Sequence, residues 1–185
     1  MKIALIALQG DIAEHKQAIE AAGASVIPVK HSGILDGCDG IVIPGGESTT
    51  FMRLMKREGI DQEIIEAHEM GKPIFGTCAG LVIVGRSEYG LGLMDADVVR
   101  NAFGRQRDSF EVMLKIPVLG SAPFKAVFIR APIIERVGPG VEVLAKIKEG
   151  IVLAREKNIL ASAFHPELLG DTRLFEYFLR MVEDA

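Results

Sequence analysis

The chain reads as an α/β fold: a single domain over residues 1–185, with a mostly parallel central sheet covered by helices on both faces and antiparallel strands added in the second half. Three observations predict it. Short, continuously apolar runs alternate with helical patterns through the first half, as expected for strands buried on both faces. Beyond about Leu93 the pattern changes to short runs separated by turn signals. At 185 residues and 49% hydrophobic composition, the chain is sufficient for one sizeable core.

The elements follow in order. Ile3 to Leu8 is short and wholly apolar, a buried strand. Asp11 is placed to cap a helix whose apolar positions include Ile12, Ala18, Ile19 and Ala22, ending at Gly23. Ala24 to Val29 and Gly40 to Ile43 are the next strands. Ser48 is expected as the N-cap of a helix that turns Phe51, Leu54 and Met55 inward and ends at Gly59. A helix from Asp61 to Gly71 precedes the strand Pro73 to Phe75. Later runs at Val98–Val99, Phe110–Ile116, Ala126–Ile129, Val141–Ile147, Ile151–Arg155 and Ile159–Phe164 read as strands, the last three as hairpins. An amphipathic helix from Asp171 to Val182 closes the chain, with Leu174, Phe175, Phe178 and Val182 on one side.

Composition removes several function classes. A net charge of −4, with no dense basic stripe, gives no reason to expect nucleic acid. The apolar run at the N-terminus is too short for a secretory segment. The longest uncharged stretch, Pro73 to Gly85, falls short of the roughly 20 apolar residues of a membrane span. The expectation is a cytoplasmic protein. Cys38 and Cys78 are the two cysteines, and their spacing suggests neither a metal site nor a disulfide framework. Cys38, in a turn-rich context, is assigned a structural role.

Cys78 sits differently. It lies in Gly76-Thr77-Cys78-Ala79-Gly80, directly after an apolar strand. A sharp strand-to-helix turn flanked by small residues lifts a nucleophile above a sheet and aims helix N–H groups at its substrate. The start of a helix also favours a thiolate. A lone cysteine is ordinarily an inert, buried hydrophobe, so this island alone leaves the matter open. His165 and Glu167 tip it. In Phe164-His165-Pro166-Glu167, Pro166 holds its neighbour extended, and residues two apart in an extended segment share a side. A thiol, a base and a carboxylate to orient the base are the parts of covalent acyl transfer. His15, His31 and His68 carry no such company and are read as structural or surface groups. A third island, Pro44-Gly45-Gly46-Glu47-Ser48-Thr49, opens a helix with paired glycines that allow close backbone approach to an oxyanion. It lacks the spacing and lysine of a phosphate loop.

With these islands the chain resembles the triad-type, or class I, glutamine amidotransferases, and within them the glutaminase subunits of pyridoxal 5′-phosphate synthase. The narrower likeness rests on Leu8-Gln9-Gly10 with Glu14-His15, on the Pro44–Thr50 and Gly76–Gly80 islands, and on Arg100 to Gln106. It continues through Asp108 to Glu111, Phe128 to Pro132 and Phe164 to Leu168. Two departures are visible: a short stretch between Gly85 and Met94, and Leu169 where threonine is common.

The resemblance implies that Cys78 attacks the side-chain amide of L-glutamine, that His165 moves the proton and that Glu167 holds the ring. It implies an oxyanion hole from Gly46 and Ala79, and a glutamine pocket of Gly46, Glu47, Ser48, Arg105, Ile129 and Arg130. It also implies a partner, a barrel-type pyridoxal 5′-phosphate synthase subunit in a large hetero-oligomer, with Gln9, Gly10 and His15 near the interface. Vitamin B6 biosynthesis is the implied setting. No cofactor and no metal is implied. Another Cys-dependent hydrolase of this fold, an amidotransferase subunit serving a different synthase, and a scaffold with a dead site are the competing readings.

Overall fold

The computed structural model describes residues 1–103 and 108–185. The first half winds through β1 (Lys2–Ile6), α1 (Ile12–Ala21), β2 (Ser25–Val29), β3 (Gly40–Ile43), α2 (Ser48–Glu58), α3 (Ile60–Glu69), β4 (Ile74–Thr77) and the short α4 (Ala79–Val84). The second half adds β5 (Ala96–Val99), β6 (Ser109–Leu114), β7 (Phe124–Ile129), β8 (Ile133–Val137), β9 (Glu142–Ile147), β10 (Gly150–Glu156), β11 (Ile159–Ser162) and α5 (Arg173–Glu183).

Among the described residues, nine strands form the main sheet, in the order β2-β1-β3-β4-β11-β10-β8-β5 with β9 paired to β10. The pairs from β2 to β11 are parallel, and those from β11 outward are antiparallel. The expected mixed α/β class is therefore the observed one. β10 and β11 do form a hairpin, but β11 also lies parallel to β4, in register from Ile159 against Ile74 to Ser162 against Thr77. β6 and β7 form a separate antiparallel pair.

Alternation along β4 shows how the two faces are covered. Phe75 and Thr77 project to one side. There Phe75 meets Phe175 and Phe178 of α5 at 5.6 Å between ring centroids, and Thr77 meets His15 of α1. Gly76 projects to the other side, where α4 passes so closely that a methyl group would lie 2.5 Å from the Gly80 carbonyl oxygen. The central strands are wholly apolar because both faces are buried: Ile3 to Ile6, Ile41 to Ile43, Ile74 and Phe75 have no exposed surface.

The helix starts depart from expectation in two places. Asp11 occupies the N-cap of α1, but its side chain makes no capping bond. Its carboxylate instead lies 3.5 Å from the His165 ring. Ser48 is the first residue of α2 rather than its cap. Glu47 takes that role, accepting from the backbone N–H of Thr49 at 3.0 Å and of Thr50 at 2.9 Å. Those two bonds hold its carboxyl down at about 2. Gly59 ends α2 in the left-handed conformation, as its position predicts. No helix among the described residues is long and apolar enough to cross a membrane.

Candidate active site

The site forms where the carboxyl ends of β1, β3, β4 and β11 meet. In open α/β sheets this is the edge at which ligands bind. Cys78 follows β4 directly and has φ 51°, ψ −103°, a left-handed φ that a non-glycine residue adopts at a cost of about 1–3 kcal/mol. Its N–H donates to the Ser162 carbonyl at 2.8 Å, so the strain is held by the neighbouring strand. α4 starts at Ala79, and a side chain at Gly80 would collide with the Ile43 carbonyl. The small residues around the cysteine are thus required by close backbone approach on both sides.

His165 stands three residues beyond β11, with its backbone N–H donating to Val127 of β7 at 2.8 Å. Its Nδ1 donates to Glu167 Oε1 at 2.7 Å, and both side chains are nearly inaccessible. The pairing of residues two apart is as anticipated, but its geometry differs. His165 is extended, whereas Pro166–Leu168 forms a 3₁₀ turn that swings the carboxylate back to the ring. With Nδ1 engaged, Nε2 is the nitrogen left for Cys78. Burial opposes charge on His165, but hydrogen bonding with Cys78 and Glu167 outweighs it and raises the imidazole to about 10. A methyl at Gly45 would lie 2.8 Å from His165 Cε1 and 3.5 Å from Cys78 Cβ, so the cysteine and the ring converge over this one glycine.

A cleft of about 410 Å³ opens in front of the pair. Gly46, Glu47, Ser48, Ala79, Ile129 and Arg130 line it, as do Asp11, Arg100 and Asn101. Cys78 Sγ is 3.8 Å from the Ile129 carbonyl oxygen, at the end of β7. Arg130 has φ 44° and is fixed by its N–H bond to Asp108 at 2.7 Å. Arg105 lies outside the described residues. Asp11 and Arg100 are lining residues whose place the sequence reading missed. Arg100 bonds Glu47 Oε1 at 3.1 Å and Thr49 Oγ1 at 3.3 Å, and stacks 4.8 Å over Tyr89. Its signal was proximity to the other arginines, with nothing to say that it folds over the α2 start.

Gln9 and Gly10 touch the glycine loop: Gln9 Nε2 donates to the Glu47 carbonyl at 3.2 Å, and Gly10 (φ 93°) passes against the Gly45 carbonyl. His15, read from the sequence as a structural or surface group and set near the interface by the resemblance, is structural in this chain. It has no exposed surface, because α1 turns it under the sheet edge toward Thr77 and Glu167. Asp11, His165 and Glu167 bring ligand-type atoms within 4.8 Å of one another, but the imidazole nitrogen facing both carboxylates already donates to Glu167. Cys38 lies buried at the end of a 3₁₀ turn, where burial pushes its thiol up, consistent with an unreactive side chain.

A family model described as the SNO glutamine amidotransferase family matches residues 5–184. The chain is 51% identical to the pyridoxal 5′-phosphate synthase subunit PdxT of Moorella thermoacetica, over 98% of this chain and 100% of that protein. It is 52% identical to the subunit of the same name from Brevibacillus brevis, over 100% of this chain and 98% of that one. A solved structure described as a glutamine amidotransferase superposes with a TM-score of 0.90 at 45% identity, covering 98% of each chain. The structure of PurLQS from Thermotoga maritima superposes at 0.69 with 18% identity, over 99% of this chain and 97% of that one, a likeness of fold alone.

Proposed function

Because the chain belongs to the SNO glutamine amidotransferase family, we propose that it hydrolyses L-glutamine to glutamate and ammonia, and passes the ammonia to a pyridoxal 5′-phosphate synthase subunit. The observation that carries this reading is the buried Glu167–His165 pair meeting Cys78 at the mouth of a cleft of amino-acid size.

The chemistry follows from those groups. The proton shared by Cys78 and His165 rests on the imidazole Nε2, and Sγ attacks the amide carbon of glutamine. Negative charge collects on the amide oxygen, opposite the backbone N–H groups of Gly46 and Ala79. One such donor contributes ~2.7–4 kcal/mol to transition-state stabilisation. The carbon–nitrogen bond breaks as the imidazolium protonates the leaving nitrogen, giving ammonia and a γ-glutamyl thioester. Water then attacks the thioester with His165 as base, and glutamate and the thiol are regenerated. Glu167 keeps the imidazole oriented throughout, as the carboxylate of a triad does.

Glu47, Ser48, Ile129 and Arg130, with Arg105, are assigned to the amino and carboxylate ends of glutamine, where a guanidinium suits a carboxylate. Ammonia released into water at neutral pH is mostly protonated and no longer nucleophilic, which favours delivery inside a complex. The partner in this reading is a barrel-type synthase in a hetero-oligomer, approached from the Gln9–Gly10 side of the cleft. The test is glutamate release with and without the synthase partner. Turnover is expected to rise with the partner and to vanish in Cys78→Ala. Undiminished ammonia release by Cys78→Ala would remove the reading.

A further inference from the structure

Behind the Glu167 carboxylate lies a second histidine that the mechanism above does not use. His15 is fully buried on α1, with its ring edge-on to Phe175 at 6.2 Å. Its Nδ1 is 2.7 Å from the Asp11 carbonyl oxygen, and a carbonyl only accepts, so Nδ1 carries a proton. Burial lowers the pKa of His15, and this dominates the opposing pull of Glu167 and of the Asp11 carbonyl. The ring is therefore neutral, and Nε2 presents a lone pair. The Thr77 hydroxyl, 2.8 Å away and itself fully buried, donates to it. That same Nε2 is 3.5 Å from Glu167 Oε2, and Oε2 has no hydrogen-bond partner among the described residues. The contact has the distance of an ion pair but not its chemistry: a lone pair faces a carboxylate oxygen.

We propose that Thr77 and His15 are positioning residues for the triad: the Thr77 hydroxyl locks His15 as the neutral Nδ1–H tautomer, and that ring denies Glu167 Oε2 a donor, so that the carboxylate acts on His165 alone. A donor at Oε2 would draw charge away from Oε1 and weaken its hold on the imidazolium. The orphaned oxygen, ordinarily a cost in a buried site, here strengthens the one bond that matters. The charged or titratable groups facing the two rings are few. Glu167, Asp11 and His165 face His15, and Cys78, Glu167, Asp11 and His15 face His165. α5 contributes the uncharged Phe175. This inference rests on the triad reading given above.

Thr77→Val keeps the shape and removes the hydroxyl. His15 Nε2 is then free to take a proton and donate it to Oε2. With the synthase partner present, kcat for glutamine hydrolysis is expected to fall by about tenfold, and the basic limb of kcat/KM to move down by about one pH unit, the scale of one charge-assisted hydrogen bond. KM for glutamine stays unchanged, because Thr77 does not line the cleft. Thr77→Ser retains the donor and is expected to restore the limb. A Thr77→Val protein with a lower melting temperature but an unmoved limb would make the pair merely structural and overturn the proposal. If that variant does not fold, the nitrogen NMR signals of His15 in the unaltered protein decide: Nδ1 protonated and Nε2 bare supports the proposal, and a proton on Nε2 at neutral pH ends it. Labelling of Cys78 by a glutamine-like electrophile separates the two failures. No label defeats the triad reading, whereas a normal label with an unmoved limb defeats only this inference.

Discussion

Gly45 carries much of the site with no side chain at all. His165 and Cys78 both close over it, and an added methyl would sit 2.8 Å from the imidazole. The ring has no room to retreat, being pinned by Glu167 while the His165 backbone N–H bonds the Val127 carbonyl. Gly45→Ala is expected to cost kcat about 10²-fold, the penalty of roughly an ångström of misplacement, with near-normal thermal stability. Glutamate release and a melting curve on the same sample check it, and near-wild-type turnover would contradict the packing described. In the proposed reaction His165 sets the pH response of kcat/KM. As the acid that protonates departing ammonia it must carry its proton, and its raised value of about 10 keeps that proton through the neutral range. kcat/KM for glutamine, which reports groups of the free protein, should hold through about pH 9 and fall toward about pH 10. A decline beginning near 6.5 to 7 would mean an ordinary histidine.

At the level of elements, α5 fastens the face that carries His15. Phe175 touches both Phe75 and His15 and has almost no exposure. Phe175→Ala is expected to destabilise the protein by ~3–5 kcal/mol, read from urea unfolding. A loss below about 1 kcal/mol would mean that α5 contributes little. Most elements were legible from pattern: β3 begins and ends where the apolar run does, and Gly59 stops α2. β8 went unread because Glu135 and Arg136 face solvent in the middle of a short strand, leaving only two apolar residues ahead of them as signal. The α2 cap was misplaced by one residue because glutamate caps poorly as a type, yet here its longer side chain bends back over Thr49 and Thr50. His15, between Glu14 and Lys16, looks like a solvated helix face. Its burial depends on where α1 lies against β4, a tertiary fact with no local trace. Cys78, His165 and Glu167 were legible because each needs a local device, an elbow or a proline turn, that leaves a mark in the chain.

Across the whole molecule, carboxylates and the triad histidine set opposite edges to stability. Hydrogen bonds from backbone N–H groups lower Glu47, and bonding to Arg136 and Arg173 lowers Asp97 and Asp171. Groups lowered in the fold stabilise it above their ordinary values near 4, and that support is lost as pH falls. His165 is raised, so its contribution is complete below about 6.5 and is lost as pH rises through about 10. His15, lowered by burial, loses its contribution as pH falls below about 6.5, so the urea midpoint should be highest near pH 6.5 and decline on both sides. A midpoint that climbs steadily from about pH 6 to about pH 10 would be incompatible with a protonated His165.

The ladder between β4 and β11 has a further result. Cys78 leaves one strand and His165 the other, and the two strands are paired side by side over their full length. Their separation is thus ruled by main-chain bonds in the middle of the protein rather than by a movable flap. Warming cannot slacken the reactive pair first and dissolve the scaffold later; heat inactivation and loss of the sheet should share a single midpoint.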